Sequence, residues 1–256
     1  MIVTLGGIDG YDKDYIRQNA WKWKEILHRY FRAQIIGMEN CPSTPFVGVG
    51  NHSGAILIPD TLLWLSYYHS SNRYDKPPIL TLAHDAFFDV YPQRITRWAS
   101  RFGAIRANQK NALHGLKSGY AVQVYPGGDF DACRSFDKRN RIEFAGRTGY
   151  VKLAQQAGVP IVPIVSHGAH KSLIVLRSGR RLAKWIGVNR SLRLQTFPIT
   201  LSIPFGFWIG PLPGYIPYPT KITLQICSPI SSEGDIIEID KKVRIIMQQT
   251  LMRMCQ

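Results

Sequence analysis

Short apolar segments alternate along this chain with longer segments whose apolar residues recur at helical spacing. Residues 159–165 are rich in β-branched side chains, which is typical of a strand buried on both faces. Residues 147–157, directly before them, have helical periodicity and are closed by Gly158. Strands that alternate with helices predict an α/β fold with a mixed, largely parallel sheet flanked by helices.

The same patterns predict further elements on both sides of this pair. Helices are expected over residues 14–36, 55–68, 92–102 and 108–117, and at the C-terminus after Ser232 and Asp235. Strands are expected over residues 45–50, 78–82, 120–125, 172–176, 199–203 and 222–227. At 256 residues we expect one domain over residues 41–256, with residues 1–40 as an N-terminal amphipathic helical appendage.

Two segments raise the question of a membrane. Residues 194–220 form the longest uncharged stretch, but six prolines and three glycines exclude a spanning helix. We expect short strands and turns there, with Phe205, Phe207 and Trp208 packed inside or facing lipid. Helix 14–36 has an apolar stripe and basic flanks, so it either packs on the core or lies among lipid headgroups with Trp21 and Trp23 at the interface.

The chain carries a large surplus of positive charge. Its 32 Lys and Arg residues against 17 Asp and Glu residues give a formal net charge of +15. No acidic residue occurs between Glu143 and Glu233, whereas ten Lys and Arg residues do. Such a balance indicates an anionic partner: nucleic acid, a phospholipid surface, or a phosphorylated or CoA-type substrate. We expect no nucleic-acid partner, because the chain has no recognisable binding module and no lysine-rich run.

Several features bear on location and on metal chemistry. The four cysteines form no CxxC motif and are expected to be reduced thiols, and residues 1–14 lack the apolar run of a signal peptide. His84, His167 and His170 lie outside any cluster of three or four ligands, so we expect no metal site. A Walker loop and a GxSxG elbow are also absent from the sequence, and no cofactor is expected.

Two polar segments follow predicted strands and are the candidates for chemistry. The first is Asn51-His52-Ser53-Gly54, in which a histidine at a strand-to-helix turn suits a general base. The second is Tyr125-Pro126-Gly127-Gly128-Asp129, in which two glycines allow backbone N–H groups to approach a phosphate or an oxyanion. Open α/β folds bind substrates beyond the carboxyl ends of their strands, where both segments are expected.

These segments resemble, in order and spacing, the motifs of the glycerolipid acyltransferase superfamily, near its diacylglycerol acyltransferase branch. The four blocks that carry the resemblance are Asn51-His52-Ser53-Gly54, Gly103-Ala104-Ile105-Arg106, Tyr125-Pro126-Gly127-Gly128 and Val159-Pro160-Ile161-Val162-Pro163. The resemblance covers roughly residues 40–230. It implies transfer of a fatty acyl group from acyl-CoA or acyl carrier protein to a glycerolipid hydroxyl, as in phospholipid biosynthesis, with His52 as the base.

The sequence departs from the common family pattern at two positions. The carboxylate expected five residues after the histidine is replaced by Leu57, and the nearest following acid is Asp60. On a helix Asp60 would lie about two turns away, so it can orient His52 only through an irregular turn. Asp85 and Asp129 are the next candidates for this role. Where many members carry glutamate this chain has Gly127, and Asp129 or Asp131 is expected to substitute.

The resemblance therefore predicts a set of site residues and partners. The catalytic pair is His52 and Asp60, and the residues expected to bind substrate are Asn51, Ser53, Arg106, Tyr125, Pro126, Gly127, Gly128, Asp129 and Arg147, with Arg134 as a further phosphate ligand. The acceptor is a lysophospholipid or glycerol phosphate; the alternatives are diacylglycerol or a long-chain alcohol, or a non-catalytic lipid- or nucleic-acid-binding role. We expect peripheral attachment to an anionic membrane on its cytoplasmic face.

Overall fold

A seven-stranded sheet lies at the centre of the structure, a computed structural model that describes residues 5–52, 57–71, 76–187, 195–210 and 214–256. Its strands are β1 (Gln34–Ile36), β2 (Val47–Gly50), β3 (Ile79–Ala83), β4 (Ala104–Arg106), β5 (Ala121–Val124), β6 (Ile161–His167) and β10 (Thr223–Ile226). A second sheet consists of β7 (Ile174–Arg177), β8 (Ile199–Ser202) and β9 (Gly206–Ile209). The helices are α1 (Lys13–Phe31), α2 (Pro59–Ser71), α3 (Asp85–Val90), α4 (Gln93–Arg101), α5 (Gln109–Lys117), α6 (Asp129–Ala132), α7 (Gly149–Ala157), α8 (Arg180–Ile186) and α9 (Ile236–Met254).

The strand order of the large sheet is β1-β10-β6-β2-β5-β3-β4. The five strands from β6 to β4 are mutually parallel, whereas β10 runs antiparallel to β6 and β1 runs parallel to β10. The predicted α/β class with a mixed, largely parallel sheet is therefore confirmed. Since β2 and β5 are neighbours, the segments that follow them, which contain His52 and Tyr125, emerge side by side at one edge.

Helices cover both faces of the large sheet. One face carries α5, α7 and α9, whose Val151 and Val243 are fully buried with Val49 and Val122 of the strands. The other face carries α2 and the end of α1; its buried residues include Phe31, Trp64, Tyr68, Val162 and Leu224. Burial on both faces explains why these strands are continuous apolar runs rather than alternating ones.

The first 40 residues differ from the predicted appendage. The helix ends at Phe31, not at residue 36, because Arg32 adopts a left-handed conformation (φ 44°) that terminates it. Residues 34–36 then form β1, which pairs with β10 almost 190 residues further along the chain. Helix α1 is amphipathic, as predicted, and buries Ile16, Ala20 and Phe31. In the structure this segment belongs to the main sheet and its core.

Within the described residues, the uncharged stretch over residues 194–220 contains short strands and turns, as predicted. Strands β8 and β9 form a hairpin of the second sheet. Phe205 and Phe207 are exposed, whereas Trp208 is partly buried against Leu173, Val175 and Tyr215. Among the described residues, no helix is long and apolar enough to cross a bilayer.

Removal of the cap on α9 tests the role of Asp235. Its carboxylate accepts hydrogen bonds from the backbone N–H groups of Ile237 and Glu238 (2.9 and 3.0 Å). Asp235→Ala leaves both donors without this partner and should lower the free energy of unfolding by about 1 kcal/mol. Urea denaturation measures the change, and Glu233→Ala, close by on the same loop, is the control. Equal stability of the two variants would contradict the assignment.

Two buried histidines predict a loss of stability in mild acid. Burial lowers the pKa of His69 from 6.5 to about 4 and that of His170 to about 3. Between pH 6.5 and 4 the unfolded chain therefore binds protons that the folded protein excludes, so stability falls as the pH is lowered. Each histidine contributes a slope of about 1.4 kcal/mol per pH unit in this range. Denaturation at several pH values should show a smaller slope for His69→Gln than for His114→Gln, which alters an exposed residue of α5; equal slopes would refute the assignment.

Candidate active site

His52 lies just beyond the carboxyl end of β2 and faces the first turn of α2. Its Nδ1 atom is 3.6 Å from Oδ1 of Asp60 and 3.4 Å from Oγ1 of Thr61. The Asp60 side chain is buried and that of His52 is 12% exposed. Two oxygens beside Nδ1 favour a proton on that nitrogen, which leaves Nε2 with a free lone pair. This is the tautomer that a general base requires.

Asp60 reaches His52 because α2 begins late. The helix begins at Pro59, a residue whose fixed φ suits a first helical position, and Ile58 before it has a positive φ of 38°. Residues 53–56, including the predicted site residue Ser53, lie outside the described residues. Because α2 begins only at Pro59, Asp60 lies in the first turn of the helix, where its carboxylate reaches His52. Asp85 and Asp129, the other candidates, contact Arg106 and Arg147 instead.

Tyr125 forms one wall of the site. Its ring stacks on the imidazole of His52 with centroids 4.3 Å apart and an interplanar angle of 28°. Burial raises the pKa of the Tyr125 phenol well above its usual value, and the nearby carboxylate of Asp60 raises it further. The phenol is therefore neutral at physiological pH and keeps its proton available for a hydrogen bond.

Asn51 holds the end of β2 in place rather than facing a ligand. Its side-chain amide donates to the carbonyl of Ser166 (2.9 Å), and its side-chain oxygen accepts from the Ser166 N–H (2.7 Å). The residue is almost completely buried. These two bonds fasten the strand exit of β2 to β6 and so fix the starting direction of the segment that carries His52.

The turn from Tyr125 to Asp129 is closed by Arg147. Its Nη1 donates to the carbonyls of Pro126 (3.0 Å) and Gly127 (3.1 Å), and its Nη2 lies 3.8 Å from Asp129. Gly128 has a positive φ of 52°, and a Cβ atom there would lie 2.7 Å from the same guanidinium. Arg147, predicted to bind phosphate, is thus engaged with the protein backbone, although 40% of its side chain stays exposed.

A buried ion pair between Asp131 and Arg134 holds the backbone of His52. One oxygen of Asp131 accepts the backbone N–H of His52 (2.5 Å), and the other pairs with Arg134. Arg134 also donates to the carbonyls of Arg139 and Arg141. Both side chains are almost fully buried, and burial lowers the pKa of Arg134 to about 10, so the guanidinium stays charged at neutral pH. The sequence had suggested Asp131 only as a substitute acid and Arg134 only as a phosphate ligand.

The space next to Gly127 explains the second departure from the family pattern. A Cβ atom at Gly127 would lie 2.4 Å from Cβ of Asp131 and 2.7 Å from the carbonyl oxygen of Glu143. A glutamate at this position would need the volume that Asp131 fills. The side chain of Asp131 therefore lies directly beside Gly127, and its carboxylate accepts the N–H of His52.

Arg106 lies apart from these residues. It ends β4, the edge strand three positions from β2, which corresponds to about 14 Å at the usual strand spacing. Its guanidinium pairs with Asp85 (3.3 Å) and Asp89 (2.7 Å). The structure thus brings together His52, Asp60, Tyr125 and the Pro126–Asp129 turn, but not Arg106.

Comparison with known proteins agrees with this geometry. A family model described as Acyltransferase matches residues 32–167, which is more than half of the chain and includes His52, Asp60 and the Tyr125–Asp129 turn. The chain therefore belongs to the acyltransferase family, and its resemblance to the glycerolipid acyltransferase superfamily is confirmed.

Individual relatives are distant. An uncharacterized protein of Mycobacterium tuberculosis is 29% identical over 238 residues, or 88% of this chain, and the chain spans 62% of that protein's length. A bovine DGAT1/2-independent enzyme synthesizing storage lipids is 28% identical over 148 residues, which is 56% of this chain and 42% of that enzyme's length. The crystal structure of the 1-acyl-sn-glycerophosphate acyltransferase PlsC from Thermotoga maritima superposes with a TM-score of 0.59, at 17% identity, over 94% of this chain and 80% of that one. This last likeness concerns the fold.

Neutralising the buried carboxylate tests the ion pair under His52. Asp131→Asn keeps an oxygen that can accept the His52 N–H but leaves the buried charge of Arg134 without a counterion. We expect the free energy of unfolding to fall by about 3–5 kcal/mol. Asp137→Asn, which removes an exposed carboxylate nearby, is the control and should be close to neutral. Equal urea midpoints for both variants would show that the pair does not stabilise the fold.

Proposed function

We propose that this protein transfers a fatty acyl group from the thioester of acyl-CoA or acyl carrier protein to a hydroxyl of a glycerolipid. The observation that carries the proposal is the contact of His52 with Asp60 and Thr61 at the carboxyl end of β2, in a chain of the acyltransferase family. This contact argues against the non-catalytic alternative, which was based on Leu57 at the position where the family usually has a carboxylate, because Asp60 supplies a carboxylate next to His52.

In the proposed reaction His52 is the general base. Nε2 removes the proton of the acceptor hydroxyl, and the oxygen attacks the thioester carbonyl to give a tetrahedral intermediate. Collapse of this intermediate forms the ester and breaks the carbon–sulfur bond, and the thiolate leaving group takes the proton back from the imidazolium. The Asp60 carboxylate stabilises that cation while it exists. No residue of the protein is acylated.

The Tyr125–Asp129 turn is the proposed site for the thioester oxyanion or an acceptor phosphate. The Gly128 N–H already donates to the carbonyl of Tyr125 (3.0 Å). Backbone donors for a ligand would therefore come from Gly127 and Asp129. Preorganised N–H groups of this kind stabilise negative charge that develops in the transition state.

Two acceptor classes follow from the comparisons and from the chain's charge. A lysophospholipid or glycerol phosphate agrees with the fold shared with PlsC and with the net charge of +15. A neutral acceptor, diacylglycerol or a long-chain alcohol, is favoured by the similarity to the bovine enzyme that synthesizes storage lipids. We propose the phosphorylated acceptor first, with the enzyme bound peripherally to the cytoplasmic face of an anionic membrane. Mass spectrometry of products from an acceptor panel separates the two classes.

Replacement of the proposed base tests the mechanism. His52→Ala should lower kcat by about 10²–10⁴-fold, because the acceptor hydroxyl then loses its proton acceptor. Asp60→Asn should lower kcat with little change in KM, since it affects the orientation and charge of His52 and not the binding of substrate. Thiol release from acyl-CoA reports the rate, and thermal melting checks the fold. His114→Ala is the matched control on an exposed histidine. Full turnover by His52→Ala would refute the assignment.

A further inference from the structure

We infer that the outer face of the second sheet, formed by β7, β8 and β9, is a docking surface for an anionic lipid bilayer. The surface is defined by Ile199, Leu201, Ile203, Phe207 and Ile209. The inference rests on the proposed function only in that a lipid substrate gives the docking a purpose. The docking itself depends on the residues of the sheet and can be measured without turnover.

The strand register places these side chains on one face. Leu201 lies opposite Phe207, and Ile199 lies opposite Ile209. Residues directly opposed in an antiparallel pair point to the same side of the sheet. Phe207 is 60% exposed, Ile209 50% and Leu201 38%. The sheet therefore presents a continuous apolar face to its surroundings.

The opposite face of the same strands is partly polar and buried. Thr200 and Ser202 alternate with Ile199, Leu201 and Ile203 and are almost fully buried. Their hydroxyl groups have no hydrogen-bond partner among the residues that the structure describes. A sheet with one face in water normally directs its apolar residues inward and its polar residues outward. The reversal in β8 leaves apolar side chains outside, where contact with lipid would remove them from water.

The chain next to this face adds interfacial aromatic and basic residues. Helix α8 begins three residues after β7, and its Trp185 is 85% exposed. Arg177 at the end of β7, and Arg181 and Lys184 of α8, are exposed as well. Tryptophan prefers the headgroup region, and lysine and arginine near the surface attract anionic lipids.

The sign of the charge favours a bilayer over a second copy of the chain. The sequence has no acidic residue between Glu143 and Glu233, a range that includes the whole second sheet and α8. A twofold dimer through this face would bring the basic residues of β7 and α8 from both copies towards each other, which is unfavourable. An anionic bilayer matches both features, because its headgroups attract the basic residues and its hydrocarbon interior accepts the apolar side chains.

The inner face of the second sheet, opposite the docking surface, contacts segments that carry residues of the candidate active site. Val175 and Trp208 of the sheet pack with Leu57, which lies three residues before Asp60. The carboxylate of Asp129 accepts the N–H of Gln195 (2.6 Å) in the segment that leads into β8. Both contacts connect the second sheet to segments of the chain that carry residues of the candidate site.

Vesicle binding with paired variants tests the inference. Purified protein is sedimented with vesicles of phosphatidylcholine and phosphatidylglycerol, and separately with phosphatidylcholine alone. The double variant Leu201→Ser/Phe207→Ser should bind the mixed vesicles at least about tenfold more weakly than the wild type. Ile237→Ser/Ile245→Ser removes comparably exposed residues of α9, 70% and 46% exposed, and should bind like the wild type.

A second pair of substitutions tests the contribution of the basic residues and keeps the inference testable if the first variant does not fold. Arg181→Glu/Lys184→Glu leaves the apolar face intact, so it should weaken binding to the mixed vesicles and reduce the dependence of binding on salt. Thermal melting identifies any variant that has lost its fold. Loss of binding in Trp21→Ser/Ile26→Ser on α1, with normal binding by Leu201→Ser/Phe207→Ser and by Arg181→Glu/Lys184→Glu, would overturn the inference. So would a wild-type dimer that Leu201→Ser/Phe207→Ser dissociates.

Turnover of a detergent-dispersed lysophospholipid separates this inference from the proposed function. Leu201→Ser/Phe207→Ser should keep wild-type activity in micelles while it fails to bind vesicles. A wild type that binds mixed vesicles through this face but transfers no acyl group would refute the enzyme and not the surface. Activity with vesicle binding unaffected by the second-sheet variants would refute the surface and not the enzyme.

Discussion

The arrangement of the site depends on one buried ion pair, between Asp131 and Arg134. Asp131 binds the backbone N–H of His52, and Arg134 binds two carbonyls of the loop at residues 139–141. The mutual attraction of the two charges and these three backbone hydrogen bonds offset their desolvation, although Nε of Arg134 has no hydrogen-bond partner among the described residues. The pair therefore joins the end of β2 to a loop that lies 79 or more residues further along the chain, and it fixes the main chain of His52 while Asp60 and Thr61 contact its ring.

Most of the fold is predictable from sequence because its strands and helices carry strong local patterns. Apolar β-branched runs predict β2, β3, β5 and β6, and the cap of Asn108 predicts α5. Strand β4 and helix α6, with three and four residues, carry neither a long β-branched run nor a helical period by which they could be recognised. Strand β1 was included in the first helix because Gln34–Ile36 becomes a strand only by pairing with β10, an interaction that local sequence does not record.

The site is predictable where a motif names the residue and not where packing decides. His52 and Tyr125 follow from the segments at the ends of β2 and β5. Asp60 could be placed only once α2 was known to begin at Pro59, since a helix from residue 55 would have separated the two side chains. Arg106 and Arg147 look free in the sequence, but they bind carboxylates and carbonyls of their own chain.

The space shared by Gly127 and Asp131 makes these two positions interdependent. With 2.4 Å between Cβ of Asp131 and any Cβ at position 127, Gly127 cannot gain a side chain while the backbone at 131 stays where it is. A side chain at 127 therefore requires glycine at 131 or a shift of the backbone at both positions, because alanine or serine at 131 would keep the Cβ atom that clashes. A substitution of Gly127 alone would overpack the turn. The Gly127-Gly128 turn is thus tied to the position of Asp131, and through Asp131 to the backbone of His52.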